Sequence, residues 1–205
     1  MTTYGGHRPI YDPQSAQRMQ MSFIDVKRAY FNAKSDREAA PCFVDLPHED
    51  PEHGDKCAEL LRHMYGTRAA ADGWQEKSST ALVRMGSKQG LATPNVFRHE
   101  IRKISCSVHG DDFTSTGTCG NLDWFEAEIA KHYEVTIAPR IGPGPQDAKE
   151  GRSLNRIIKW CEHGIEYEAD PRQAEKLIAE CGLESSKGGG PPQASRPPST
   201  CLKPT

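Results

Sequence analysis

No apolar stretch in this chain runs for more than a few residues, and the spacing of its apolar side chains switches repeatedly between two periods. Ile104, Cys106 and Val108 alternate with polar residues, the period-two signature of a half-buried strand. Trp74, Ala81, Leu82 and Met85 share one helical face, and so do Leu122, Phe125, Ile129 and Tyr133. A chain that mixes the two periods in short pieces predicts an α+β fold with antiparallel hairpins. With no run of 18 apolar residues, nothing in it predicts a membrane span. At 205 residues it has the length of one ordinary domain.

Element by element, residues 1–20 show no period and predict an irregular segment. Ser22 to Val26 and Cys42 to Leu46 are short strand-like runs, the second closed by Pro47. The acidic, turn-rich stretch from His48 to Asp55 predicts a loop. Cys57, Leu60, Leu61, Met64 and Tyr65 have helical spacing, with Gly66 as a stop. The Trp74 helix ends near Gly86. His109-Gly110-Asp111-Asp112 reads as a turn at a hairpin tip, and Asn121 as the N-cap of the Leu122 helix. Val135 to Ile137 predicts a strand and Pro139 to Gly151 a loop. Leu154 to Trp160 and Ile165 to Glu168 form a predicted hairpin turning at Glu162-His163-Gly164. Asp170-Pro171 opens a helix that closes at Gly182. From 185 to 205 the Gly, Pro and Ser content predicts a disordered tail.

Net charge is −2, which by itself points away from nucleic acid, but the charge is unevenly spread. Between Lys56 and Cys106 nine Lys/Arg face four Asp/Glu; between Ser107 and Glu184 eight face fifteen. The basic segment is either an ordinary solvated surface or a face for a phosphate backbone. The seven cysteines are odd in number and contain no C-x-x-C, so free thiols in a reducing compartment are expected rather than a disulfide framework or zinc ribbon. With no secretory signal at the N-terminus, this predicts an intracellular protein, cytoplasmic or nuclear.

Three carboxylates carry the chemical interest. Asp25 sits between Ile24 and Val26 in an apolar strand, where it either points to solvent or needs a partner or metal. Asp111 and Asp112 follow Gly110 in a turn, a composition that is ordinary for hairpins. Together the three suit Mg²⁺, which takes oxygen ligands and shares them with substrate phosphates. Two such ions roughly 3.5–4 Å apart can stabilise both the attacking and the leaving oxygen of an in-line phosphoryl displacement.

The surrounding residues resemble a known family. Phe23-Ile-Asp-Val-Lys-Arg-Ala-Tyr-Phe-Asn32 resembles the first catalytic motif of Copia-type retrotransposon reverse transcriptases, and Phe43-Val-Asp-Leu-Pro47 the strand that follows it. Leu60-Leu-Arg-His-Met-Tyr-Gly-Thr-Arg68, continuing to Trp74, is similar to the family's Leu-Tyr-Gly-Leu-Lys…Trp segment. Val108-His-Gly-Asp-Asp-Phe113 falls where the family has its Tyr-Val-Asp-Asp hairpin, and Leu122 to Glu134 resembles the helix after it. Leu154 to Leu177 is similar to the segment beyond the palm. The resemblance spans roughly residues 20–184.

What the resemblance implies is a palm-like antiparallel sheet with packed helices over 21–160, preceded by a remnant of the fingers in 1–20. The end of a hairpin and a helix follow in 161–184. It implies an RNA-directed DNA polymerase acting on an RNA or DNA template-primer with deoxyribonucleoside triphosphates. Asp25, Asp111 and Asp112 would be the catalytic acids and the ligands of two Mg²⁺ ions, with Mn²⁺ as a substitute. Tyr30 falls at the aromatic gate against a ribose 2′-hydroxyl, or simply packs. Lys27 and Arg28 fall near the incoming triphosphate, or are plain exposed cations. Other polyprotein segments are further expected partners, and a membrane is not.

The sequence departs from the family at several points. His109-Gly110 replaces Tyr-Val, Ala69 to Ala71 stand where a Gln is usual, the strands of the fingers are mostly missing, and no ribonuclease H segment follows. These departures predict weak or no synthesis by the chain alone. The alternative is a non-catalytic retroelement remnant that only binds nucleic acid or another protein.

Overall fold

The computed structural model describes residues 19–35, 41–161, 164–168 and 171–184. Of the predicted irregular segment 1–20, residues 1–18 lie outside the described residues, as do Glu162 and His163 of the predicted turn, the predicted N-cap Asp170 and the predicted disordered tail 185–205. What is described is a mixed α/β arrangement with antiparallel sheets and three α-helices. No helix among the described residues is long and apolar enough to cross a membrane.

The strands β1 (Gln20–Val26), β2 (Phe43–Asp45) and β3 (Cys57–Glu59) precede helix α1 (Ala70–Arg84). Then come β4 (Lys88–Gln89), β5 (Val96–His99), β6 (Ile104–His109) and β7 (Asp112–Gly117), helix α2 (Cys119–His132) and β8 (Val135–Ile137). The last strands are β9 (Glu150–Ser153), β10 (Arg156–Cys161) and β11 (Gly164–Glu168). The principal sheet has the order β4-β5-β6-β7-β1-β8, with every neighbouring pair antiparallel. A three-stranded sheet, β11-β10-β9, and a β2-β3 pair complete the unit that ends at Ala169.

Alternation along the central strands decides what each face of the principal sheet does. Ile24 and Val26 of β1, Ile104 and Cys106 of β6 and Phe113 of β7 point to one face. There they pack on Trp74 and Leu82 of α1 and on Phe125 and Ile129 of α2. Each of these apolar side chains contributes about 1.5–3 kcal/mol when fully buried, and the period of two then forces their strand neighbours onto the other face. Part of that second face is covered: Phe23 packs with Ile141 and Ile158, flanked by Met21, Trp160 and Ile165. The end that carries Asp25 and Asp112 is left open, with Asp25 exposed and Asp112 half-buried.

The connection between α2 and this smaller core is polar. Arg140 donates from Nε (2.8 Å) and Nη2 (2.6 Å) to the two carboxylate oxygens of Glu126, and its Nη2 also reaches Asp123 at 2.8 Å. Ser22, fully buried in β1, donates to the same Glu126 carboxylate. The fork matches the planar geometry of a guanidinium on a carboxylate and ties the loop after β8 to helix and sheet. Glu126, with Asp123 behind it, raises the Arg140 pKa above its ordinary value.

Two expectations about helices fail in this unit, and the loop predicted over Pro139 to Gly151 gives way to β9 at Glu150. The helix predicted over Cys57 to Tyr65 does not form. Its first residues pair with β2 (Phe43↔Glu59, Asp45↔Cys57), Leu60 N–H donates to the Cys42 carbonyl and His63 N–H to that of Ala33. Long-range partners take the backbone groups that a helix would use, and Leu61 stays 61 % exposed, so the helical spacing buries no face. Nor is Asn121 the N-cap of α2. Thr118 holds that place in an extended conformation, and Asn121, inside the first turn, donates from Nδ2 to the Arg102 carbonyl at 2.9 Å. Helix α1 does end as expected, at Met85 followed by Gly86 with φ +95°.

Residues from Asp170 onward form a second unit. Its described part is helix α3 (Pro171–Glu180), closed by Gly182 with φ +64° and by Leu183 N–H donating to the Ile178 carbonyl.

Candidate functional site

Two strands far apart in the chain but adjacent in the sheet, β1 and β7, bring the acids together. In the β1-β7 register Asp25 stands directly opposite Asp112. One step further along, the Val26 N–H donates to the Asp111 carbonyl at 2.9 Å. Hydrogen-bonded and non-hydrogen-bonded pairs alternate along an antiparallel ladder, so Asp25–Asp112 is a non-hydrogen-bonded pair, the kind with the closer side chains. Cross-strand Cβ atoms in such a pair lie roughly 4.5–5.5 Å apart. The row continues on both sides: His109 pairs with Asp112 across β6, and Thr136 with Asp25 across β8. Four polar residues thus line one row of the open face, in the order His109, Asp112, Asp25, Thr136.

Asp111 is one of the two loop residues between β6 and β7. The closing pair is His109↔Asp112, so the loop is Gly110-Asp111. Gly110 takes φ +59°, a conformation that glycine adopts without steric cost. The tip is fixed from below: the indole Nε1–H of Trp74 donates to the Gly110 carbonyl at 2.7 Å. Trp74 is itself buried and meets Tyr133 edge-on with centroids 5.1 Å apart.

The electrostatics follow from the proximity. Partial burial, then the charges of Asp111 and Asp25, hold the Asp112 carboxyl above its usual value, while His109 pulls the other way. Burial and Asp111 likewise raise the phenol of Tyr65, with smaller contributions from Tyr30 and Asp25. Tyr65 belongs to the segment predicted as a helix, and its place beside the acids was not foreseen. Its ring meets Tyr30 in a T-shaped contact at 4.3 Å and Phe31 at 6.0 Å, which builds an aromatic wall next to the carboxylates. Tyr30 is thus held against Tyr65 beside the acids.

Lys27 and Arg28 lie just past the acids, and both are engaged. Lys27 Nζ reaches one carboxylate oxygen of Glu134 at 2.9 Å, and Arg28 Nη2 the other at 2.7 Å. The Lys27 hydrogen bond, followed by that of Arg28, lowers the pKa of Glu134. Arg28 adopts the left-handed region at φ +53°, just before a short 3₁₀ turn over Ala29–Asn32. With Phe31, Asn32 and Glu134 the two cations line a cleft of about 420 Å³. A larger cleft of about 670 Å³ follows the outer side of α1 past Asp72, Gln75 and Glu76, and shares no residue with the acids.

The donor set is all carboxylate oxygen, the chemistry that a hard divalent cation prefers. Among the described residues no three His, Cys, Asp or Glu side chains are grouped closely enough to hold an ion by themselves. One or two carboxylates completed by water and substrate phosphates is the usual arrangement for Mg²⁺, and the facing pair Asp25–Asp112 meets that smaller requirement. No protein-family model matches the chain.

Proposed function

We propose that this chain is a piece of a Copia-type retrotransposon reverse transcriptase, its principal sheet the palm, built for RNA-directed nucleotidyl transfer. The observation that carries the reading is the facing pair: a strand carboxylate, Asp25, set against the acid-bearing hairpin of Asp111 and Asp112 on an open sheet face. Like charges placed directly opposite destabilise a sheet, so the facing acid pair, offset only in part by His109 across from Asp112, is a cost to the fold that a metal-dependent site explains.

In this reading Asp25 and Asp111 are the principal ligands of Mg²⁺, with Mn²⁺ as a substitute, and Asp112 is the third acid. The bound ions supply the positive charge that stabilises the attacking and leaving oxygens of an in-line displacement. The chain's own residues do the rest. The Tyr30 ring, backed by Tyr65, walls the sugar side and excludes a ribose 2′-hydroxyl. Lys27 and Arg28, each already bonded to Glu134, offer their remaining donors to the triphosphate. Template-primer and deoxyribonucleoside triphosphates are the partners.

Primer extension on an RNA template with Mg²⁺ and deoxyribonucleotides tests the reading. The expected result is extension, however slow, that Asp111→Asn abolishes. Salt-dependent binding of the template-primer with no extension would favour a non-catalytic interaction module instead. Extension that Asp111→Asn leaves unimpaired would remove the two-metal assignment.

A further inference from the structure

The turn that carries the acids has a length that admits two conformations in general, and the fold holds one of them. Two-residue hairpin loops take type I′, with positive φ at both central residues, or type II′, with positive φ at the first alone. This chain contains both. Between β9 and β10 the loop residues Leu154 (φ +50°) and Asn155 (φ +61°) are both left-handed, as type I′ requires. Between β6 and β7 only Gly110 is, at φ +59°, and Asp111 is not, which is the type II′ pattern.

The two types differ by turning over the central peptide, which changes ψ of the first loop residue and φ of the second together. In the acid turn that peptide joins Gly110 to Asp111, and its oxygen is the one that accepts the Trp74 indole N–H at 2.7 Å. Gly110 is exposed at a hairpin tip, where a carbonyl ordinarily takes water; here it takes a donor from a side chain only 2 % exposed. The indole is packed against Tyr133 and sits in the core between α1 and the sheet, so its N–H direction is fixed by packing rather than by the turn. Gly at the first loop position favours type II′, but Asp at the second tolerates the left-handed region. The local sequence alone therefore leaves both forms open.

We infer that Trp74 is a positioning residue: its indole N–H selects the type II′ orientation of the Gly110–Asp111 peptide, and so sets the direction in which the Asp111 carboxylate leaves the turn relative to Asp25 and Asp112. The consequence for catalysis rests on the polymerase reading. The conformational statement does not.

The test is NMR on the full chain with Trp74→Phe, which keeps a ring in the core and removes the donor. A left-handed residue has a short distance between its own N–H and Hα, so it gives a strong intraresidue NOE. The expected result is a weak NOE at Asp111 in the unmodified protein. In the variant the type I′ population rises about two- to tenfold, the equilibrium effect of one hydrogen bond. Slow exchange of the Val26 amide in both proteins serves as the check that β1 and β7 stay paired. An unchanged Asp111 NOE in a folded variant overturns the inference. If the variant does not fold, the unmodified protein decides. There the Trp74 indole N–H exchanges at least about tenfold more slowly than those of Trp124 and Trp160; equal rates overturn the inference. Because the readout is turn conformation and not synthesis, failure here leaves the polymerase reading standing. Failure of primer extension likewise leaves this inference standing.

Discussion

Asp112→Asn is expected to stabilise the protein at neutral pH and to lose that advantage in acid. Asp25 and Asp112 face each other as a non-hydrogen-bonded pair, with Asp111 beside them in the turn. Two unit charges about 6 Å apart repel by about 0.7 kcal/mol at the dielectric constant of water, and this lies within the roughly 0.2–1 kcal/mol measured for cross-strand pairs. The exposed side of Asp25 justifies the water value over a protein-interior one. With an m-value of about 1–3 kcal/mol/M, a gain of that size raises the urea midpoint by about 0.2–0.7 M.

The sign of the pH dependence follows from the direction of the shift. The folded-state pKa of Asp112 is raised, first by burial and then by Asp111 and Asp25. The folded protein therefore holds this proton more tightly than the unfolded chain does. The stability linked to it is fully present below the unfolded carboxylate value of about 3.9 and is lost as pH rises through the folded pKa. Urea unfolding of both proteins at pH 7 and at about pH 3 should show a gap that closes on acidification. Asp25→Asn should act in the same direction, and the double variant should gain less than the sum, because a single repulsion is removed only once. A variant that is less stable at pH 7, or equally more stable at both pH values, would refute the idea that the fold holds a repelling acid pair.

Two other outcomes follow from the packing. Arg140→Met should cost about 3 kcal/mol in urea unfolding, the lower end for breaking a buried ion pair, because Arg140 and Glu126 are about 15 % exposed and the Asp123 arm is on the surface. A loss under about 1 kcal/mol would put this pair with ordinary surface bridges. The Cys106 thiol, pushed up to about 12 by burial, should resist labelling by a thiol reagent at pH 8 until the chain unfolds, while the exposed Cys57, Cys119 and Cys181 react in the native state. Labelling of Cys106 at the rate of Cys57 would show that the core between the sheet and its two helices is open.

Local periodicity was enough to read elements whose partners lie close by or whose apolar face is wide. The Trp74 and Leu122 helices, the Ile104-Cys106-Val108 strand and the hairpin tip at Gly110 all form where the spacing places them. It misled over Cys57 to Tyr65, where apolar residues at helical intervals meet no surface that could bury them and the backbone pairs with Phe43–Asp45 and Ala33 instead. It also passed over β9, because Glu150 and Gly151 close a Gly- and Pro-rich stretch and gain their strand character only from pairing with β10.

The site divides along the same line. That Asp25 lies in a strand and Asp111 and Asp112 in a turn could be read from neighbours a few residues away. That β1 and β7 are adjacent could not, since nothing local in either strand specifies its partner. Once the two strands are adjacent, however, the face on which each carboxylate lies follows from the alternation. Ile24 and Val26 must face the helices, and so must Phe113; a one-residue slip of β1 would carry Asp25 into the core and Ile24 and Val26 into water, and one of β7 would do the same to Asp112 and Phe113. The apolar residues on either side of the acids therefore hold both carboxylates on the open face. Substitutions at Ile24 or Phe113 should disturb the carboxylate row even though neither side chain reaches it.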